Sequence, residues 1–467
     1  MTQSIPLSPP PAPRAAAPRR AVPTAAGYPV VGLLPEILIN PMRALSRVAR
    51  EHRGAVVRMP FGPVDIYLVT RPEHVGHVLL DNWRNYPKGD AMWRPLRRLL
   101  GQGLVTSDGD LWVKNRRLLQ PLFAPKHLAA LSATMVSVLE RSLDALSRRI
   151  KPGAPLNIEN ELAVITQNVV LETVFGASIE RGEAERLTTA LIQSFRQMNL
   201  RMFLFFLPDH LPLPGEGAIK RAVLTFDEAM FRLVRERRST GERRKDLLSL
   251  LLDARDPETG EPMSDRQIRD ELVTLFIAGN ETTALTMTWL LYLLDKNPEA
   301  EAKVRAEAAE VLGRRLPTYE DLPQLKYSKM VVQETLRLYP PSWMIPRVAV
   351  AEDEVDGYRI PAGATVIVSQ YLMHRDPTQW DRPEAFDPER FRPEVASTRP
   401  RYTYMPFGGG PRLCIGDQFA IMETQLLLAM FVQRFRARLA PGARVEAKAM
   451  ATLRPRNGMP MYVDRIG

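Results

Sequence analysis

The sequence predicts a mainly α protein with a minor β part, built as a single large domain around a long central helix. Three observations carry this. The stretch from Arg266 to Asn297 contains no proline and is apolar around most of its circumference from Leu272 on, which marks a helix buried through the middle of the molecule. Helical periodicity with charged exposed faces dominates from Lys126 to Leu250. The β-rich segments are short and scattered, and they do not divide the chain into independent halves.

Taken in order, the first 26 residues are rich in Pro, Ala and Arg and hold no apolar run of signal-peptide or membrane-span length. They predict a disordered tail over 1–26, followed by a folded domain over 27–467. Gly54 to Thr70 has two β-rich halves broken by Phe61-Gly62-Pro63, a hairpin signal. Glu73 to Asp81 reads as a surface helix, with His74 and His77 three apart and no third metal ligand in view. Met202 to Leu207, MFLFFL, is too short to span a bilayer; it fits a core and leaves contact with a membrane surface open.

The central helix ends at Asn297-Pro298, and a second helix, Leu325 to Tyr339, stops at Pro340-Pro341. Short β segments follow over Val355 to His374, then an irregular Pro- and Asp-rich stretch. A last helix starts after Cys414. Thr452 to Val463 places an Asn457-Gly458 turn between two strand-like halves, which reads as a closing hairpin.

At 467 residues and 45% apolar content, a sizeable core is available. One cysteine excludes an intramolecular disulfide and fits a reducing compartment. The formal charge is +10, yet no helix-turn-helix, zinc-finger or aromatic-basic pattern accompanies it, so nucleic acid is not the expected partner. A basic face suits an acidic protein partner.

That single cysteine sits in FGGGPRLCIG, Phe407 to Gly416. Glycines let backbone approach a bulky planar group closely. The helix that follows brings its N-terminal dipole near the sulfur, which favours thiolate. A thiolate held by amides beside a large flat cofactor is what haem iron needs to activate oxygen.

The segment resembles the haem-binding loop of the cytochromes P-450, Phe-Gly-x-Gly-x-Arg-x-Cys-x-Gly. Phe407, Gly408, Gly410, Arg412, Cys414 and Gly416 all match. The resemblance spans almost all of the chain beyond the first 26 residues, and it implies the cytochrome P-450 fold. It further implies haem b (iron protoporphyrin IX) with Cys414 as the axial iron ligand, and O2 as co-substrate. Other motifs follow the family's order. Glu334 and Arg337, three apart on a helix, resemble the Glu-x-x-Arg pair that joins an arginine downstream, here Arg390 in FDPERF, in a structural triad. Ala278 to Thr283, AGNETT, resembles the family's oxygen-handling stretch. Glu281 and Thr282 would be the acid–alcohol pair that delivers protons to dioxygen, with Ala278 clearing space for it. Trp112 and Arg116, four apart, resemble the propionate-binding pair, with Arg412 and Arg347 serving the propionates too.

The resemblance implies a soluble, bacterial-type monooxygenase: cytoplasmic, monomeric, with no membrane span. No flavin module is attached, so no bound flavin is expected, and electrons come from a separate ferredoxin or flavodoxin with its NAD(P)H reductase. Lys114, Arg117 and Lys126 are candidate contacts for that partner. By analogy the substrate pocket draws on Leu104, Val105, Phe276, Ser342, Trp343, Met344, Met450 and Ala451. These are apolar or small, Ser342 excepted, and suit a lipophilic substrate such as a terpene, polyketide or other secondary metabolite. A fatty-acid hydroxylase is the alternative, and it needs an anchor such as Arg94, Arg97 or Arg98. The intact Glu281-Thr282 pair argues against a peroxide-driven hydroxylase and against a haem sensor or ligand-binding protein without turnover.

Overall fold

The computed structural model describes residues 20–466 apart from 91, 177–180, 209, 210, 212, 243, 245 and 257. Helices dominate, and the strands are short: β1 Val56–Phe61, β2 Val64–Val69, β3 Leu156–Asn157, β4 Ile345–Val348, β5 Asp353–Val355, β6 Tyr358–Ile360, β7 Thr365–Val368, β8 Phe435–Leu439, β9 Ala447–Ala449, β10 Leu453–Pro455 and β11 Pro460–Arg465. The largest sheet has the order β1-β2-β7-β4 and so joins the N-terminal hairpin to strands some three hundred residues later. The β1–β2 pairing closes Phe61 onto Val64 across Gly62-Pro63, as the sequence predicts.

The expected closing hairpin is not formed. β10 pairs back with β9, while β11 leaves for β8 and β3. The Asn457-Gly458 turn therefore passes the chain from one sheet to another. β11 reaches five register positions on β8 and two on β3, more pairing than the three-residue β10 offers.

The central helix runs Asp265–Lys296, 32 residues, opened by Ser264 accepting from the Gln267 amide. It is buried on most sides and packs along the helix Ile158–Phe175, where Thr166 Oγ1 donates to Asn280 Oδ1 at 2.9 Å. Trp289 stacks on Tyr339 with centroids 4.0 Å apart, tying it to the helix Lys326–Leu338. The helix that follows the cysteine, Asp417–Arg434, is buried along nearly its whole length.

Of the tail expected over 1–26, residues 1–19 lie outside the described residues. Arg20 to Ala26 are paired rather than free: the Arg20 amide donates to Gly357 O at 2.8 Å and the Ala25 amide to Arg58 O at 2.8 Å. MFLFFL packs inward, with Phe61 stacked on Phe205 at 6.2 Å and edge-on to Phe206 at 6.0 Å. Among the described residues no single helix is long and apolar enough to cross a membrane. His74 is not a surface residue; it is buried, 3.5 Å from Asp356, and His77 meets Asp353 at 2.8 Å.

Candidate active site

The segment before the cysteine is held by backbone geometry. Gly408 and Gly410 take φ of +76° and +65°, the left-handed region. A Cβ on Gly410 would lie 1.8 Å from Leu79 O, so the loop presses directly on that carbonyl. The Cys414 amide donates to Phe407 O at 3.0 Å, closing the loop on itself. Gly416 is the N-cap of the following helix and has room around it, with Phe123 the nearest neighbour of an added Cβ at 3.8 Å.

Cys414 keeps accessible surface although its thiol lies deep among protein atoms; it borders an interior space. Burial pushes the thiol up, while the Gly416 amide and Arg116 pull it down. The net direction is opposite to the lowering that the helix dipole alone predicts. Desolvation outweighs it; a metal bound at the sulfur would ionise the thiol.

The central helix contributes a stripe. Ala278 is exposed at the middle of an otherwise buried helix, and Leu275, Gly279 and Thr282 on the same face are half-buried. Thr282 Oγ1 donates to Ala278 O at 2.7 Å. Glu281 turns away from this face and accepts from Thr452 Oγ1 at 2.9 Å. The central and cysteine helices meet at Thr283 and Glu423, which sets this stripe beside the start of the cysteine helix. Sequence reasoning missed Glu423. It is fully buried, neither oxygen has a well-formed hydrogen bond, and burial pushes its carboxyl up to about 8.

Beside the loop, buried cations outnumber their counter-charge. Arg412, 7% exposed, meets Asp108 at 2.5 Å and lies 4.8 Å above the Trp112 ring, while its Nε and Nη1 are buried with no partner. Arg347 is buried, its Nη1 donating to Pro346 O at 2.9 Å. Lys88, also missed in the sequence, is buried and donates to Leu104 O and Ser107 O at 2.9 and 2.8 Å. Burial and the neighbouring arginines push Lys88 and Arg347 down. Lys88, Arg347 and Arg412 gather near Asp108, which Arg97 also meets at 3.6 Å, while Glu271 near Lys88 is pushed towards its neutral form; two carboxylates of one ligand would neutralise the excess of positive charge. Arg116 is placed elsewhere: it donates to Leu413 O and Gln120 Oε1, both at 2.8 Å, and so braces the cysteine loop.

Glu334 and Arg337 meet at 2.6 Å with both side chains fully buried, and Arg390 Nε is 3.6 Å from Glu334. This is a core cluster and not a surface helix pair. Phe407 is half-buried at the edge of the largest core.

The expected pocket residues divide. Leu104 is buried and Val105 half-buried; Met344, Met450 and Ala451 are half-buried, and Ser342 is exposed. Phe276 and Trp343 instead belong to the core. Phe276 has no exposed surface and lies between Phe175 and Phe226. Trp343 is 1% exposed and donates from Nε1 to Met450 O at 2.8 Å, bracing that turn from behind.

A lone cysteine opening onto an interior space, anchored in a glycine loop at a helix start and flanked by unmatched buried cations, defines a haem-thiolate protein. The comparison with known sequences agrees: the family description Cytochrome P450 matches residues 22–459. The chain belongs to the cytochrome P450 family and is a monooxygenase that uses haem and O2. It is 35% identical over 432 residues to cyclooctatin synthase of Streptomyces melanosporofaciens, covering 91% of this chain and 92% of the relative. It is 36% identical over 415 residues to the cyclooctat-9-en-7-ol 5-monooxygenase of the same organism, covering 89% of each. To pentalenene oxygenase of Streptomyces avermitilis it is 32% identical over 425 residues, covering 91% and 93%. As in its family, electrons come from redox partners and substrates are lipophilic.

Proposed function

We propose that the protein hydroxylates or epoxidises a polycyclic terpene in secondary metabolism, using haem b, with no flavin of its own and with electrons from a separate ferredoxin or flavodoxin and its NAD(P)H reductase. The observation that carries the substrate class is the similarity to enzymes named for cyclooctat-9-en-7-ol and pentalenene. The apolar, half-buried surface of Val105, Met344, Met450 and Ala451 suits such a skeleton. The fatty-acid alternative loses its anchors: Arg94 and Arg97 pair with Asp90 at 3.0 and 2.6 Å, and Arg98 with Glu216 at 2.7 Å.

Bound haem supplies oxygen activation, with a thiolate pushing electron density towards O–O cleavage. Cys414 would hold its iron through the thiolate on this reading. Arg412, Arg347 and Lys88 would hold the propionates, with Trp112 stacked under Arg412 to fix its fork; Gly408 and Gly416 would let the backbone lie close, while Gly410 seats the loop on Leu79. Phe407 and Arg116 shape the loop around the sulfur. Thr282 gives its one proton to the Ala278 carbonyl, so its lone pairs are free to hold water or a protonated group at the Ala278 gap. Glu281 is the proton source: burial raises its carboxyl above the ordinary carboxylate range and so favours the protonated acid. Glu334, Arg337 and Arg390 act on structure alone. We place the enzyme in the cytoplasm as a monomer. Two of the three cations expected to meet its electron donor are already engaged, Lys114 by Asp256 at 3.4 Å and Arg117 by Glu258, which leaves Lys126 as the exposed candidate.

Titrating the purified ferric protein with polycyclic terpenes, long-chain fatty acids and macrolides, and reading the Soret band, tests this. A low-spin to high-spin shift with the terpenes alone is the expected result. A shift with fatty acids alone overturns the substrate class, and a haem-loaded protein that turns over no ligand with any redox partner restores the sensor reading.

A further inference from the structure

The carboxyl of Glu281 enters a polar knot shared with two other elements. Thr452 Oγ1, in the β9–β10 turn, donates to Glu281 Oε1 at 2.9 Å. Arg454 Nη2, on β10, lies 3.6 Å from the same oxygen. That one nitrogen is also 3.0 Å from Glu159 Oε1, in the first turn of the helix Ile158–Phe175. Arg454 Nε is buried with no partner. On their other side, Glu159 and Arg454 line an open cleft of about 860 Å³, together with Asn157, Asn160, Met450 and Phe203. Glu281 is not among the lining residues. Arg454 thus stands between the cleft and the half-buried carboxyl of Glu281.

We propose that Arg454 is a positioning residue for proton delivery, moving between Glu159 and Glu281, and that the cleft it borders is where solvent protons enter to reload Glu281. This rests on the reading of Glu281 as the proton source. A guanidinium keeps its charge at any working pH, so Arg454 gates the path and does not itself carry the proton. One nitrogen serves two carboxylates. Seated on Glu159, as here, it leaves Glu281 poorly matched, and the protonated acid is favoured. Moved onto Glu281, it stabilises the carboxylate left once the proton has gone; its return to Glu159 withdraws that stabilisation and lets water from the cleft reload the acid. The electrostatics run the same way: burial raises the Glu281 pKa, Arg454 and Thr452 lower it, and Glu159 raises it. Glu423, on the cysteine helix, faces Thr283, two residues along from Glu281.

The test is an infrared titration of the ferric holoprotein. The carbonyl band of protonated Glu281 is assigned by its loss in Glu281→Gln. Arg454→Met should move the titration up by about 1–3 pH units. Glu159→Gln should move it down, because the competing carboxylate is gone, and Arg454→Lys should stay close to the parent. An intact Soret band and an unchanged substrate-induced shift establish that each variant is folded. In turnover, Arg454→Met should lower product per reduced nicotinamide about tenfold and release peroxide instead, while Glu281→Gln should lower it by about 10²-fold. If Glu281→Gln loses coupling but neither Arg454→Met nor Glu159→Gln moves the band or the coupling, the gate is wrong. If Glu281→Gln couples normally, the proton-source reading has failed, whatever the band does. Shifts of the same sign in Arg454→Met and Glu159→Gln would also overturn the gate.

Discussion

Glu334 and Arg337 face each other at 2.6 Å, three residues apart on one helix, with neither side chain exposed. Arg337 also donates to His374 O, Pro383 O and Ala385 O at 2.6 to 2.9 Å, and Glu334 accepts from the Asp387 amide at 2.9 Å. The pair therefore pins the irregular segment before the cysteine loop to a core helix. Removing one partner of a buried pair strands the other charge, at a cost of about 3–5 kcal/mol. Arg337→Met should yield little haem-loaded protein and melt well below the parent. Arg337→Lys should not rescue it, since an ammonium lacks the planar fork that reaches a carboxylate and three carbonyls together. Haem content and circular dichroism on heating check this; a parental melting point in either variant would show that the cluster is dispensable.

Arg347 gives a prediction with two opposite signs. It is a buried cation whose nearest hydrogen bond is to its neighbour's carbonyl, and burial and Arg412 both weigh against its charge. In the apoprotein it is a liability, and Arg347→Met should melt no lower than the parent, and up to about 1–3 kcal/mol higher. In the holoprotein the same change removes a charge-assisted bond of about 1.5–3 kcal/mol to a propionate, and haem should escape to apomyoglobin about ten- to a hundredfold faster. Equal haem-escape rates would remove Arg347 from the propionate site.

Much of this site is legible in the sequence because its signals are local. Gly408 to Gly416 are neighbours in the chain, Glu334 and Arg337 share one helix face, and the proline-free run to Lys296 is continuous. What escapes is set by partners far away. Nothing local says that Lys88 lies beside Arg347 and Arg412, or that Glu423 comes to face Thr283 from another helix. The Asn457-Gly458 turn looks like a hairpin until β8 and β3 compete for β11. Phe276 and Trp343 are apolar enough for a pocket, but residue type does not say which side of a helix or loop faces the core; their neighbours Leu275 and Met344 are the half-buried ones. Arg116 sits on the expected face of its helix, yet the carbonyl of Leu413 takes its Nη1.

Gly410 tests how tightly the cysteine loop is built. Its φ is +65°, and a Cβ there would come 1.8 Å from Leu79 O, a backbone atom that cannot rotate aside. Gly410→Ala should shift the loop, loosen the Cys414 amide from Phe407 O, and cut haem content severely. Gly442 is the control: its φ is +76°, but nothing lies within 4 Å of an added Cβ. Gly442→Ala should cost only about 1 kcal/mol of backbone strain and keep full haem content. Equal behaviour of the two variants in pyridine haemochrome assays would mean that the left-handed backbone alone, and not the contact with Leu79, constrains the loop.

Glu423 should leave a mark on stability against pH. Its carboxyl is raised from 4.5 to about 8 in the folded protein, chiefly by burial. A raised folded pKa means that the folded state holds a proton that the unfolded state gives up. The contribution to stability is thus fully present below the unfolded value and is lost as pH climbs from there through about 8. The slope is about 1.4 kcal/mol per pH unit for one such group. Glu271, also raised to about 8, adds a second slope of the same sign that remains in the variant. Glu423→Gln has no proton to lose, so its denaturation midpoint should fall less between pH 5 and pH 8 than the parent's. The two proteins should be closest at the acid end, with the variant the more stable at the alkaline end. Parallel midpoint curves across that window would show that Glu423 is ionised in the folded protein, paired with a cation or water that offsets its burial.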